Sequence, residues 1–169
     1  MSGEPPAAGA AEAEREAGAL LSAAALASFR LNGRLLELAE RLARPAGLTA
    51  AWWQVLGAVL REPASVAGIA RAMGITRQSV QRIADLLVDK GLAEYRPNPA
   101  HSRAKLLAVT PEGLAAVRRI DPAHAESAAR LAAEVGTERL RADVESLERL
   151  SAAVDALLAR NGEGQPHPR

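Results

Sequence analysis

Five polar side chains crowd the opening turns of one segment: Arg77, Gln78, Ser79, Gln81 and Arg82, within TRQSVQRIADLLVDKG from Thr76 to Gly91. An arginine fork offers two donors to a guanine edge, a glutamine amide matches an adenine edge, and a serine hydroxyl bonds either a base or a phosphate. Backbone amides at the Thr76 cap add a phosphate contact, and Ser65, at the start of the preceding helical pattern, joins the candidates. A second basic group follows, with Arg96, His101, Arg103 and Lys105 around one loop. A guanidinium at such a loop's tip can enter a narrow minor groove while the cations at its base meet phosphates. The plain alternative is a solvated helix face followed by a charged loop.

Other chemistry is poorly supplied. There is no Cys, so no disulfide framework, thiolate metal site or sulfur redox switch, and a reducing compartment fits. The three His, at 101, 124 and 167, are scattered, and His101 alone could titrate near neutral pH within the loop. No nucleophile stands with a base at usable spacing and no Gly-rich phosphate loop is present, which argues against an enzyme, a metal site or a cofactor. The uncharged apolar stretch from Ala17 to Phe29 has 13 residues, short of the ~20 that span a membrane. The first 16 residues carry four Glu against one Arg, the wrong sign for a secretory leader. A soluble cytoplasmic protein is expected.

Among 169 residues, 21 Lys and Arg nearly balance 20 Asp and Glu. The distribution says more than the sum. Between Arg71 and Lys105 seven basic residues face three acidic ones, whereas between Asp121 and Arg160 five face eight. An anionic partner belongs at the middle of the chain.

The elements that must position these groups follow from periodicity and caps. With 39 Ala the chain favours helix and has a thin core. Residues 1–12 and 161–169 read as disordered tails. A helix is expected from about Ala13 to Ala43, because Leu21, Ala24, Ser28, Leu31, Leu35, Leu38 and Leu42 alternate at spacings of three and four. Thr49 caps a second helix to about Arg61, bearing Trp52, Val55, Leu56, Val59 and Leu60 on one stripe. Ser65 caps a short helix with Val66, Ile69, Ala70 and Met73, and Gly74 stands where a C′ glycine belongs. Thr76 caps the helix to Lys90, whose inner face is Val80, Ile83 and Leu87. Leu92–Arg96 and Lys105–Val109 are strand candidates joined by an eight-residue loop. Thr110-Pro111-Glu112 opens another helix, Pro122 interrupts or restarts it, and Thr137 caps a last one carrying Leu140, Val144, Leu147, Leu150, Val154, Leu157 and Leu158.

Helix, short helix, glycine turn, helix with a polar tip, then a two-stranded basic loop is the order of a winged helix-turn-helix. The stretch from Leu48 to Ile120 resembles the multiple-antibiotic-resistance regulator (MarR) family of bacterial winged-helix proteins. The resemblance lies in GITRQSVQRIADLLVDKGLAEYRPNPAHSRAKLLAVTPEG, with its recognition helix, its Gly-Leu entry into the wing and its closing LLAVTPEG. The wing tip departs from the family, whose members carry an acid and consecutive arginines there; His101-Ser102-Arg103 keeps only the last Arg.

The expected fold is therefore mainly α with a small β-wing: one domain over 13–160, with a winged lobe at 48–110 and dimerisation helices at 13–44 and 111–160. The resemblance implies interlocked terminal helices, which the exposed apolar seams through Leu21, Leu31, Leu35, Leu38, Leu140, Val144, Leu147, Val154 and Leu158 ask for independently. It also implies double-stranded DNA as partner, a repressor's role on a pseudo-palindromic operator, and a small aromatic or amphipathic effector. Phe29, Trp52 and Trp53 are the candidate effector residues, although Trp52 also fits the core and Trp53 also fits packing on the first helix. A winged-helix module that binds protein rather than DNA is the rival reading.

Overall fold

In the computed structural model, residues 6–101 and 103–162 are described, and they divide between Asp121 and Pro122 into two compact units. The sequence reading treats 13–160 as one domain. The first unit opens with α1 (Pro6–Ala43), then a 3-10 turn at Arg44–Ala46 and α2 (Ala50–Ala58). Next come β1 (Ala64–Ser65), α3 (Val66–Met73), α4 (Arg77–Asp89), β2 (Ala93–Arg96), β3 (Leu106–Val109) and α5 (Pro111–Arg118). The second holds α6, which starts at Asp121 and runs to Val135, and α7 (Thr137–Gly162).

Helix α1 begins earlier than the periodicity implied, so residues 6–12 of the expected N-terminal tail are helical. Alanine supplies the helix propensity there without an apolar seam, and it was the seam that set the expected start at Ala13. Residues 161–162 of the expected C-terminal tail likewise belong to a helix, the last one, and residues 1–5 and 163–169 lie outside the described residues. Helix α2 stops at Ala58, short of the expected Arg61.

Four starts in the first unit use one device. Thr49, Ser65, Thr76 and Thr110 each hold extended backbone and accept a hydrogen bond from the amide three residues on, a cap worth about 1 kcal/mol each against Ala. Helix α2 gains a second acceptor from α1, as Glu40 Oε2 takes the Ala50 amide at 2.8 Å.

The core is made by these short elements. Val55, Leu56, Ile69, Val80, Leu87, Leu107 and Ile120 are essentially inaccessible to solvent. They come from α2, α3, α4, β3 and the turn after α5, which is how so few large apolar residues enclose a lobe. Trp52 and Trp53 both pack half-buried against this core. The sheet is antiparallel in the order β1-β3-β2, with Tyr95 opposite Leu107 and Arg96 opposite Leu106. Strand β1, which pairs Ser65 with Leu106, was not foreseen; two residues carry no alternation to read.

Thr110 locks the wing's base. Its hydroxyl donates to the Gly91 carbonyl at 2.7 Å, and its amide bonds the Leu92 carbonyl at 3.2 Å. Gly113 packs so close that an added Cβ would collide with the Leu92 carbonyl.

In the second unit no residue of α6 is buried. Pro122 falls in its first turn, where a missing N–H costs nothing. The break before α7 is at Gly136, whose φ of 88° is one L side chains rarely adopt. Thr137 is consequently the first residue of α7 rather than its cap.

Candidate nucleic-acid interface

The polar tip of α4 is set by the turn before it. Gly74 has φ 64° and gives its amide to Arg71, and the Ile75 amide reaches back to Ala70, so the chain reverses within two residues. Thr76 then restarts the helix, and its Oγ1 both accepts the Ser79 amide at 3.1 Å and pairs with the Ser79 hydroxyl at 2.8 Å. With Val80, Ala84 and Leu87 fully buried, the helix phase leaves Arg77, Gln78, Gln81, Arg82 and Asp85 exposed.

Between α3, the start of α4 and the wing lies a cleft of about 290 Å³ lined by Ser65, Val66, Ala67, Arg77, Gln81, Tyr95, Arg103, Ala104 and Lys105. Five residues chosen from sequence for nucleic-acid contact therefore share one concavity. Three of them are cations, and its lining contains no carboxylate. Arg77 and Arg103 make no ion pair among the described residues. Lys105 Nζ sits 5.9 Å from the Tyr95 ring centroid, a contact that leaves its charge available.

Two lining residues, Gln81 and Tyr95, close a triangle of hydrogen bonds with Asp85, which does not itself line the cleft. Tyr95 Oη donates to Asp85 Oδ1 at 2.7 Å, while Gln81 Nε2 donates to Asp85 Oδ1 at 2.9 Å and to Tyr95 Oη at 2.8 Å. It joins β2 of the wing to α4. Burial, then the bond to Asp85 and its charge, push the Tyr95 phenol up to about 12, against the opposing bond from Gln81, so it is a proton donor at every physiological pH.

Tyr95 and Asp85 were not chosen from sequence as site residues. A readable signal existed: Gln81 and Asp85 are one turn apart on α4, and the period of two in β2 puts Tyr95 on the inward face with buried Ala93. The same period turns Glu94 and Arg96 outward, where Arg96 Nη2 pairs with Glu94 Oε1 at 2.6 Å. Arg96 is thus neutralised by its neighbour and lies outside the cleft.

The remaining candidates disperse. Gln78 and Arg82 are exposed on α4 but do not line the cleft. His101 lies exposed in the wing loop, in a turn closed by its amide on the Asn98 carbonyl. The candidate effector residues lie outside the two larger cavities described. Phe29 is 73% exposed on α1, Trp52 has Lys90 Nζ 5.2 Å from its ring centroid, and none of the three lines the cleft just described or a second one of about 420 Å³ formed by Asn32, Leu36, Gln54, Ala58, Ala72, Met73 and Ile75. Along α1 the seam residues Leu21, Leu31, Leu35 and Leu38 are exposed. On α7, Val144, Leu147, Val154 and Leu158 are exposed and Leu140 is half-buried.

This geometry agrees with comparison to known proteins. A family model described as MarR family matches residues 46–104, the lobe with its cleft. An uncharacterised protein of Mycobacterium tuberculosis is 41% identical over 132 residues, covering 76% of this chain and 90% of that protein. The chain belongs to the MarR family. Among solved MarR-like structures, the M. tuberculosis transcriptional regulator MosR in complex with DNA is 25% identical with a TM-score of 0.64, over 78% of this chain and 97% of that one. The transcriptional repressor CouR bound to a 23-mer DNA duplex is 26% identical with a TM-score of 0.65, over 74% and 89%. CouR from Rhodococcus jostii bound to p-coumaroyl-CoA is 24% identical with a TM-score of 0.61, over 72% and 86%. As a MarR-family member this protein is a DNA-binding transcriptional regulator of winged-helix fold. No helix among the described residues is long and apolar enough to cross a membrane.

Proposed function

We propose that this MarR-family regulator acts as a homodimer that reads a pseudo-palindromic operator and represses by occupying a promoter. The observation that carries the reading is the wing cleft, where Arg77 and Gln81 of α4 meet Arg103 and Lys105 of the wing with no acid in the lining. In the winged geometry α4 enters the major groove, Arg77, Gln78, Ser79, Gln81 and Arg82 supply base and phosphate contacts, and Arg103 reaches the minor groove. Ser65, Thr76, Lys105, Arg96 and His101 would contribute phosphate contacts, Arg96 least because Glu94 already holds it. The dimer is supported by apolar seams of α1 and α7 that a single chain leaves to solvent, since exposed apolar patches mark interaction surfaces. Two α4 helices would then address half-sites ~34 Å apart.

Repression is supported by the likeness to CouR, itself a repressor. A small aromatic or amphipathic effector would release the operator by preferring one spacing of the two α4 helices over another, and the p-coumaroyl-CoA held by the Rhodococcus protein supports such a ligand.

The test is selection from a randomised duplex pool at two salt concentrations. A two-fold-symmetric motif with affinity falling steeply as salt rises supports the proposal. Salt-sensitive binding without a motif leaves only nonspecific DNA binding, and no binding at all favours a protein-interaction module.

A further inference from the structure

The triangle of Gln81, Tyr95 and Asp85 determines what Gln81 can say to a base. A glutamine amide carries two donor hydrogens on Nε2 and one acceptor oxygen. Nε2 is held between two acceptors, Asp85 Oδ1 at 2.9 Å and Tyr95 Oη at 2.8 Å. The orientation of the amide is fixed by its partners, since an ionised carboxylate only accepts and the single Tyr95 hydrogen already lies on Asp85 at 2.7 Å. Turned over, the Gln81 oxygen would face two acceptors. Oε1 is left without a partner among the described residues, on a side chain that is exposed and lines the cleft.

We infer that Gln81 is held by Tyr95 and Asp85 as an acceptor-only reader, which takes one hydrogen bond from an exocyclic amine, adenine N6 or cytosine N4, and does not form the two-bond adenine pair. This rests on the proposed DNA-reading role of α4. In the major groove those two amines are the donors, whereas guanine and thymine present acceptors, so Oε1 selects A or C over G or T. Adenine N7 plays no part, because the nitrogen that would reach it is held to Asp85 and Tyr95. Tyr95 and Asp85 are positioning residues: neither needs to touch DNA, and their effect is to remove the donor half of the glutamine code.

The experiment uses the full-length protein and changes the DNA. Operator selection with wild type and Gln81→Ala identifies the base position at which discrimination is lost. If that base is adenine, it is replaced by 7-deazaadenine, which lacks N7, and separately by purine, which lacks the N6 amine. The expected result is that 7-deazaadenine alters wild-type affinity less than twofold and loss of the amine weakens it about five- to tenfold, one neutral hydrogen bond. Gln81→Ala should be indifferent to both. Tyr95→Phe releases Nε2 from one of its two acceptors, so a sensitivity to 7-deazaadenine that wild type lacks should emerge; a merely structural role for Tyr95 would weaken all operators alike. If the base is cytosine, replacement by 2-pyrimidinone should produce the same amine-dependent loss.

Equal sensitivity of wild type to loss of N7 and of the amine would overturn the inference, as would guanine or thymine at the Gln81 position or no position responding to Gln81→Ala. Each of those results leaves salt-sensitive, motif-specific binding intact, so it is distinguishable from failure of the regulator reading, in which no motif is recovered.

Discussion

Tyr95 of the wing and Asp85 of α4 are joined by a 2.7 Å hydrogen bond from the phenol to the carboxylate. The wing tip has no ion pair of its own among the described residues, with Arg103 unpaired, and this bond, beside the one from Gln81 to the same phenol, ties the wing's first strand to the helix it flanks. It does so without consuming a cation, which leaves Arg77, Arg103 and Lys105 to an anionic partner.

This bond sets the titration of the protein's single tyrosine. Burial and Asp85 raise the phenol from 10 to about 12. Because the folded state holds this proton more tightly than the unfolded one, the associated stabilisation is fully present below pH 10 and is lost as the pH climbs through about 12. Ultraviolet titration of tyrosinate, with circular dichroism following the fold, should place the native midpoint near 12. Asp85→Asn should bring it down. An unshifted midpoint in folded wild type would mean that the bond does not persist in solution.

Gly113 closes the wing onto the lobe, where any side chain would strike the Leu92 carbonyl. Backbone cannot move aside as a flexible side chain would, so Gly113→Ala should destabilise the lobe by about 1–3 kcal/mol. Urea unfolding with an unchanged slope would register it. Gly57→Ala, at a helical position with open space, is the control and should stabilise slightly or leave the midpoint where it was.

How much of this was legible beforehand depended on whether a signal was local. The caps at Thr49, Ser65, Thr76 and Thr110 and the Gly74 turn depend on neighbours within four residues, and the helix-turn-helix, the wing and the buried face of α4 were read from them. Strand β1 exists only because β3 arrives to pair with it. The triangle likewise joins residues 14 apart, and the neutralisation of Arg96 depends on which face of β2 the sheet turns outward. Base-edge chemistry was therefore legible as a list of residue types, while the state of each group, free in Arg77 and committed in Gln81, needed the fold. The candidate effector residues are likewise a matter of more than local signals: Phe29 belongs to the exposed part of α1, and nothing local brings it to the two tryptophans.

Arginines on the helix and on the wing should behave differently. Arg77→Ala should cost about 1–3 kcal/mol at one base position and relax preference there, as expected for a bidentate base contact. Arg103→Ala should weaken binding to many duplexes alike and flatten the dependence of affinity on salt. Anisotropy titrations against the selected operator and its single-base variants, at two salt concentrations, separate the two. A uniform loss across all variants for Arg77→Ala would remove it from base reading.

The last prediction concerns the apolar seams. Leu35 on α1 is 51% exposed and Leu147 on α7 is 40% exposed, and neither contributes to the lobe's core. Charged replacements at these sites therefore cost a single chain little, but in a dimer they would bury unpaired charge across the two-fold axis. Leu35→Glu with Leu147→Glu should leave helicity intact and convert the protein to monomer in sedimentation equilibrium. Operator binding should then fall by ~100-fold or more, because the second half-site no longer binds as a tethered event at high effective concentration. Binding to a duplex carrying one half-site should change little, since α4 and the wing are untouched. A monomeric double variant that held the full operator as tightly as wild type would show that one lobe supplies all the affinity, and the pseudo-palindrome would lose its physical basis.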